Sequence, residues 1–129
     1  MRTYLAIRHS ELESFISTLS MQVDELFAPT SDFLVENDEC DSEELEYLLS
    51  VSAGEKALKL RASQTSPGLV LAIDIDYNQI ELESADTVTL NSPISWEQVQ
   101  CALLAYEGEE ELTWFATQEI ADELAGWKY

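Results

Sequence analysis

The amino-acid sequence predicts an α/β domain, with α+β as the variant, built on a four- to five-stranded mixed sheet with helices packed on it. Three observations carry this. Two segments, Arg2–Arg8 and Leu69–Asp76, have the length and β-branched, apolar content of buried strands. A long stretch from about Ser42 to Ala62 repeats apolar residues at helical spacing, so strands and helices alternate early in the chain. The 129 residues are 46% hydrophobic with only 4 Gly and 3 Pro, which suits one ordinary core and leaves little material for structureless loops.

In order, Arg2-Thr-Tyr-Leu-Ala-Ile-Arg8 reads as a first strand, with Leu5 and Ile7 on one face and Tyr4 and Ala6 on the other. Ser10 with Glu13 makes a capping box, and Leu12, Phe15, Ile16 and Leu19 follow at helical spacing. Gln22–Ala28 is a strand candidate ended by Pro29, and Thr30–Val35 has room for a turn of helix. The long helix then presents Leu45, Leu48, Leu49, Ala53, Ala57 and Leu60 along one side. Acids crowd its start and Lys56, Lys59 and Arg61 its end, complementing the helix dipole. Ser66-Pro67-Gly68 breaks it. The next strand puts Leu69, Leu71, Ile73 and Ile75 on one face and Val70, Ala72, Asp74 and Asp76 on the other. A weaker strand is expected at Asp86–Leu90, a short helix from Pro93 and Ser95 through Gln98, and a strand at Cys101–Tyr106. A helix from Glu109 to about Ala125 completes the chain.

Six Lys and Arg against 26 Asp and Glu give a formal charge of −20. Residues 9–55 and 62–127 contain no Lys or Arg at all. Such a field repels nucleic acid and anionic membranes and favours basic proteins or cations. Cys40 and Cys101 are too few and too far apart for a disulfide scaffold or a paired-cysteine zinc site. Met1–His9 runs straight into a strand instead of a charged and then apolar leader, so cytoplasm is the expected location. No G-x-S-x-G, G-x-x-x-x-G-K-[ST], G-x-G-x-x-G or H-E-x-x-H motif occurs, and no cofactor is implied.

Three places offer chemistry. His9, the single histidine, needs a nucleophile or an orienting carboxylate to act as a general base, and Ser10 is already assigned to the helix cap. Asp74 and Asp76, two apart on a strand, share a face and have the oxygen ligands that Mg²⁺ or Ca²⁺ takes; the alternative is a strand emerging into solvent. On the expected C-terminal helix, Ala116, Ile120 and Leu124 define one side while Trp114 and Phe115 diverge. Phe115 would then fall beside Glu119 on an acidic face, as a protein-binding anchor or as part of a helix packed on two sides.

Four stretches carry a resemblance over nearly the whole chain: Met1-Arg-Thr-Tyr-Leu5, Leu26-Phe-Ala-Pro-Thr30, Glu43-Glu-Leu-Glu-Tyr47 and Leu112-Thr-Trp-Phe-Ala-Thr-Gln-Glu-Ile120. In these the sequence resembles a family of short actinobacterial proteins of unknown function. Phe115 stands where family members read Tyr. The resemblance implies a cytoplasmic bacterial protein and supplies no activity.

The leading expectation is therefore a non-catalytic interaction or regulatory module that binds a basic protein through Trp114, Phe115 and Glu119. A special case is mimicry of nucleic acid. The second class is a divalent-cation-dependent enzyme or ligand-binding protein gathering Asp74, Asp76 and His9. A homodimer built on the C-terminal helix is the third.

Overall fold

Alternating side chains on both faces make β1 (Arg2–Ile7) an interior strand, and the computed structural model, which describes residues 1–129, places it in the middle of a sheet. The elements after it are α1 (His9–Thr18), β2 (Ser20–Met21), β3 (Leu26–Phe27), α2 (Ser31–Glu36) and α3 (Ser42–Leu60). Then come β4 (Gly68–Asp74), β5 (Ile80–Glu83), β6 (Thr87–Leu90) and β7 (Ile94–Ser95). The chain closes with β8 (Val99–Ala105), β9 (Thr113–Ala116) and α4 (Ile120–Glu123), with 3-10 turns at Tyr77–Gln79, Trp96–Gln98, Thr117–Glu119 and Leu124–Lys128.

The sheet has 7 strands in the order β5-β6-β3-β1-β4-β8-β9, and β2 pairs separately with β7. Every pairing is antiparallel. This corrects the expected four- to five-stranded mixed sheet, and it makes the fold α+β. The additional strands are two to four residues long, too short to display a period of two, and each exists only because a distant strand pairs with it.

The three long strands carry the core. β1 pairs with β4 from Arg2↔Asp74 to Ile7↔Leu69, and β4 pairs with β8 with a bulge at Ala72/Ile73. Their side chains divide as the alternation requires. Leu5, Ile7, Leu69, Leu71, Ile73 and Leu104 face one way, onto Leu12 and Phe15 of α1 and onto Ile120, Leu124 and Trp127 near the C-terminus. Tyr4, Val70, Ala72 and Cys101 face the other way, onto Leu49, Ala53 and Ala57 of α3. Each fully buried Leu or Ile stabilises the domain by about 1.5–3 kcal/mol.

Helix α3 lies close against the sheet because its inner seam is small. A Cβ on Gly68 would sit 2.7 Å from the α3 backbone at Ala57 and Leu58. The expected boundary at Ala62 is two residues long, and Leu48, placed on the apolar side by spacing, is exposed. Asp41 caps the helix, accepting from the Glu44 N–H at 2.9 Å. Glu43 and Glu44 in the first turn complete the dipole complement. Part of the acidic run is thus helix architecture.

Other expectations shift. Helix α1 starts at His9, and it is the Arg8 N–H that is taken by Glu11 at 3.0 Å, in place of a Ser10–Glu13 box. Leu19 ends that helix in the left-handed region at φ 64° instead of joining its apolar stripe. Only Leu26–Phe27 of the Gln22–Ala28 segment is strand. The Ser95–Gln98 cap is present, with the Ser95 N–H donating to Gln98 at 2.9 Å, but it starts a single 3-10 turn. Of the expected C-terminal helix from Glu109 to Ala125 only the second half is helical, as α4 and the 3-10 turns on either side of it; Thr113–Ala116 is strand β9, paired Leu103↔Trp114 and Ala102↔Phe115 with β8. The helical spacing of Ala116, Ile120 and Leu124 holds only beyond Ala116, and before it the hydrogen bonds that β8 offers prevail. Trp114 and Phe115, on which the homodimer expectation placed its contact, stand on β9 instead of on a helix.

Candidate functional site: an acidic groove between the long helix and the last hairpin

Strand alternation decides what β9 displays. Trp114 projects from the α3 side of the sheet beside Leu103 and is 60% exposed. Phe115 projects to the opposite side and packs edge-on against Trp127, with ring centroids 5.2 Å apart. Glu119 turns back, its carboxylate accepting the Ala116 N–H at 2.9 Å. The three residues read as one anchor from the sequence are therefore separated: Trp114 faces solvent, Phe115 belongs to the core, and Glu119 caps the end of the edge strand.

His9, Asp74 and Asp76 are not brought together either. His9 is buried, and its Nε2–H donates to the Leu124 carbonyl at 2.7 Å, tying α1 to the C-terminal segment. Asp74 lies at the far end of β1, about 20 Å of strand away. It receives the Arg2 Nε–H at 2.6 Å, a bond that raises the guanidinium pKa further. Asp76 lies beyond the end of β4, where its N–H is taken by Gln79 at 2.9 Å. No group of three His, Cys, Asp or Glu side chains is close enough to hold a metal ion.

A concavity lies elsewhere, between α3 and the β8–β9 hairpin. It has a volume of about 430 Å³, with Val51, Gly54, Leu58, Ala105 and Leu112 as its apolar lining. Tyr47 and Tyr106 stand at its sides, 52% and 36% exposed, and Glu55, Glu109 and Glu110 supply its charge. Leu112 is the contact between its walls: a Cβ on Gly54 would come within 3.2 Å of the Leu112 Cδ2. Two recesses adjoin it at Tyr47, one reaching Leu103 and Glu111, the other reaching Cys40, Glu43 and Glu44. Leu103 is the register partner of Trp114, so three exposed aromatic rings share this side of the molecule.

The groove follows from local chemistry. Tyr47 sits on the outward side of α3, well around from the Leu49–Ala53–Ala57 seam. The hairpin turns at Gly108, whose φ of +83° suits a residue without a Cβ. Arg61 holds that turn by donating to Glu107 at 3.1 Å. Cys40 is at the acidic end. Its partial desolvation, then Glu44, Glu39, Asp41 and Asp38, raise its thiol pKa and disfavour the reactive thiolate. The sequence did hold a signal for Tyr47, an aromatic on the same helical face as Val51, Gly54 and Leu58 with Glu43, Glu44 and Glu55 beside it. Glu55, Tyr106, Glu109 and Glu110 had none, because only the folding of the hairpin over α3 makes them neighbours.

A family model described as a family of unknown function (DUF6912) matches residues 1–110. That range includes α3 and the first part of the hairpin, and Leu112–Ile120 lies beyond it. No curated protein and no solved structure matches the chain. No helix is long and apolar enough to cross a membrane.

Proposed function

The chain belongs to the DUF6912 family of unknown function, and from the geometry of its groove we propose that it is a non-catalytic interaction module that docks a basic protein in the cytoplasm. One observation carries the reading: Tyr47, Tyr106 and Trp114 stand exposed on the same side as the groove carboxylates. Aromatic anchors inside a polar rim are the usual anatomy of a protein interface. A surface this acidic steers a basic partner toward it and repels nucleic acid and anionic membrane. The reading moves the anchor from Phe115 to Tyr47 and Tyr106 and keeps Trp114.

The test is capture from host lysate on the immobilised protein, parent against Trp114→Ala and Tyr47→Ala, at low and high salt. The expected result is a basic protein retained by the parent and lost by both variants. Retention that ignores both rings yet vanishes with salt would instead mark a diffuse mimic of nucleic acid.

A further inference from the structure

We propose that the α3–hairpin groove receives an extended, lysine-bearing segment of the partner. Its methylene stems lie on Val51, Leu58 and Ala105, and its ammonium groups lie between Glu55 and the pair Glu109 and Glu110. This rests on the interaction reading above and names what that surface recognises.

Four features lead to a basic side chain, and the last of them selects lysine over arginine. The groove floor is apolar while its rim is anionic, and a lysine buries its stem on the first while keeping its head at the second. The rim carboxylates are uncommitted. The ion pairs in the molecule are Arg2–Asp74, Lys56–Glu25 and Arg61–Glu107, none of which uses Glu55, Glu109 or Glu110. Tyr47 and Tyr106 add ring faces to which a cation is attracted. Finally, the acids come from two walls, helix on one side and hairpin on the other. A compact ammonium with rotatable donors can be shared between facing carboxylates, whereas a planar guanidinium fork is best met by one carboxylate in its plane.

Other occupants fit less well. A second copy would bring its own charge of −20 against the groove. Addition of a partner strand to the free edge of β9 is blunted, because that strand has four residues and Glu119 already takes the Ala116 N–H. About 430 Å³ accommodates a few side chains of an extended segment.

The test uses the full chain and a fluorescein-labelled probe, Gly-Ala-Lys-Ala-Lys-Ala-Gly, with its arginine counterpart and spermidine as competitor, read by anisotropy. The lysine probe should bind more tightly than the arginine probe. Glu109→Gln with Glu110→Gln should weaken it by about tenfold, equivalent to 1.4 kcal/mol, and Val51→Phe, which fills the floor without changing charge, by a similar factor. Asp122→Asn with Glu123→Gln removes the same charge from α4, on the opposite face of the sheet, and should change binding by no more than about twofold, the effect of a screened surface field. Circular dichroism confirms that each variant folds.

Equal losses in the two charge pairs, or tighter binding of the arginine probe, overturn the proposal. So does displacement by spermidine at concentrations matching the lysine peptide, which would make a free polyamine the occupant. If the protein captured from lysate is lost with Trp114→Ala but unaffected by Val51→Phe and the Glu109/Glu110 pair, the interaction reading stands and this one fails.

Discussion

Leu19 closes α1 in a conformation that costs an L-residue roughly 1–2 kcal/mol, and its side chain is 56% exposed, so little burial compensates. Replacing it with Gly should raise stability by about 1 kcal/mol in urea denaturation, since glycine reaches this helix-ending conformation without a Cβ penalty. Tyr4 makes a prediction in pH. Burial first, then the Glu46 carboxylate, pushes its phenol up to about 12 from an ordinary 10.0. The unfolded chain therefore releases that proton first as pH rises, while the folded protein still holds it. Stability should be level below pH 10 and fall between pH 10 and 12, by on the order of 2–3 kcal/mol, and Tyr4→Phe should remove that slope. Chemical denaturation at stepped pH, parent against variant, measures both. His9 shows how misleading a single residue can be in isolation: its catalytic appearance came from its rarity, and the fold uses it to bind one carbonyl.

At the scale of elements, two glycines separate a forbidden contact from a permitted one. In Gly68→Ala the new methyl would meet α3 backbone at 2.7 Å, and backbone cannot step aside. A loss of about 1–3 kcal/mol is expected, as for other overpacked cores. In Gly54→Ala the nearest atom is the Leu112 methyl at 3.2 Å, on a flexible side chain. There the gain in helix propensity, about 1 kcal/mol for Gly to Ala, offsets the crowding and stability should be unchanged or higher. Thermal or urea unfolding of the two variants side by side decides it. Removing the α3 cap by Asp41→Ala should cost about 1 kcal/mol by the same measurement. The elements that were legible in the sequence, β1, α1, α3, β4 and β8, are those long enough to show their period more than once. β9 was misread because four residues of strand and one turn of helix look alike until a neighbour supplies the hydrogen bonds.

Across the whole molecule, 26 acids face only three ion pairs, each with at least one partner well exposed, so self-repulsion is largely unrelieved. The melting temperature should climb with added NaCl as the repulsion is screened. Mg²⁺ should raise it too, equally in the parent and in Asp74→Asn, because Asp74 is engaged by Arg2 and no three-ligand cluster exists. A Mg²⁺-dependent rise lost only in Asp74→Asn would revive a specific cation site at Asp74 and Asp76. Charge alone supports the proposal of a basic partner without saying where it would dock. The location comes from the hairpin folding across α3, which places Glu109 and Glu110 opposite Glu55.

The sequence by itself determined the two-faced strands β1 and β4, the long capped helix α3 and the acidic surface. These rest on local periodicity, local capping and composition, each contained within one stretch of chain. Only the tertiary structure decided the seven-strand antiparallel order, the identity of β9, the separation of Trp114 from Phe115 and Glu119, and the groove itself. Those depend on pairings such as Leu103↔Trp114 and on Leu112 meeting Gly54 across the hairpin. Their stabilising hydrogen bonds and contacts join residues far apart in the chain, and no local pattern records which partner a short segment will find.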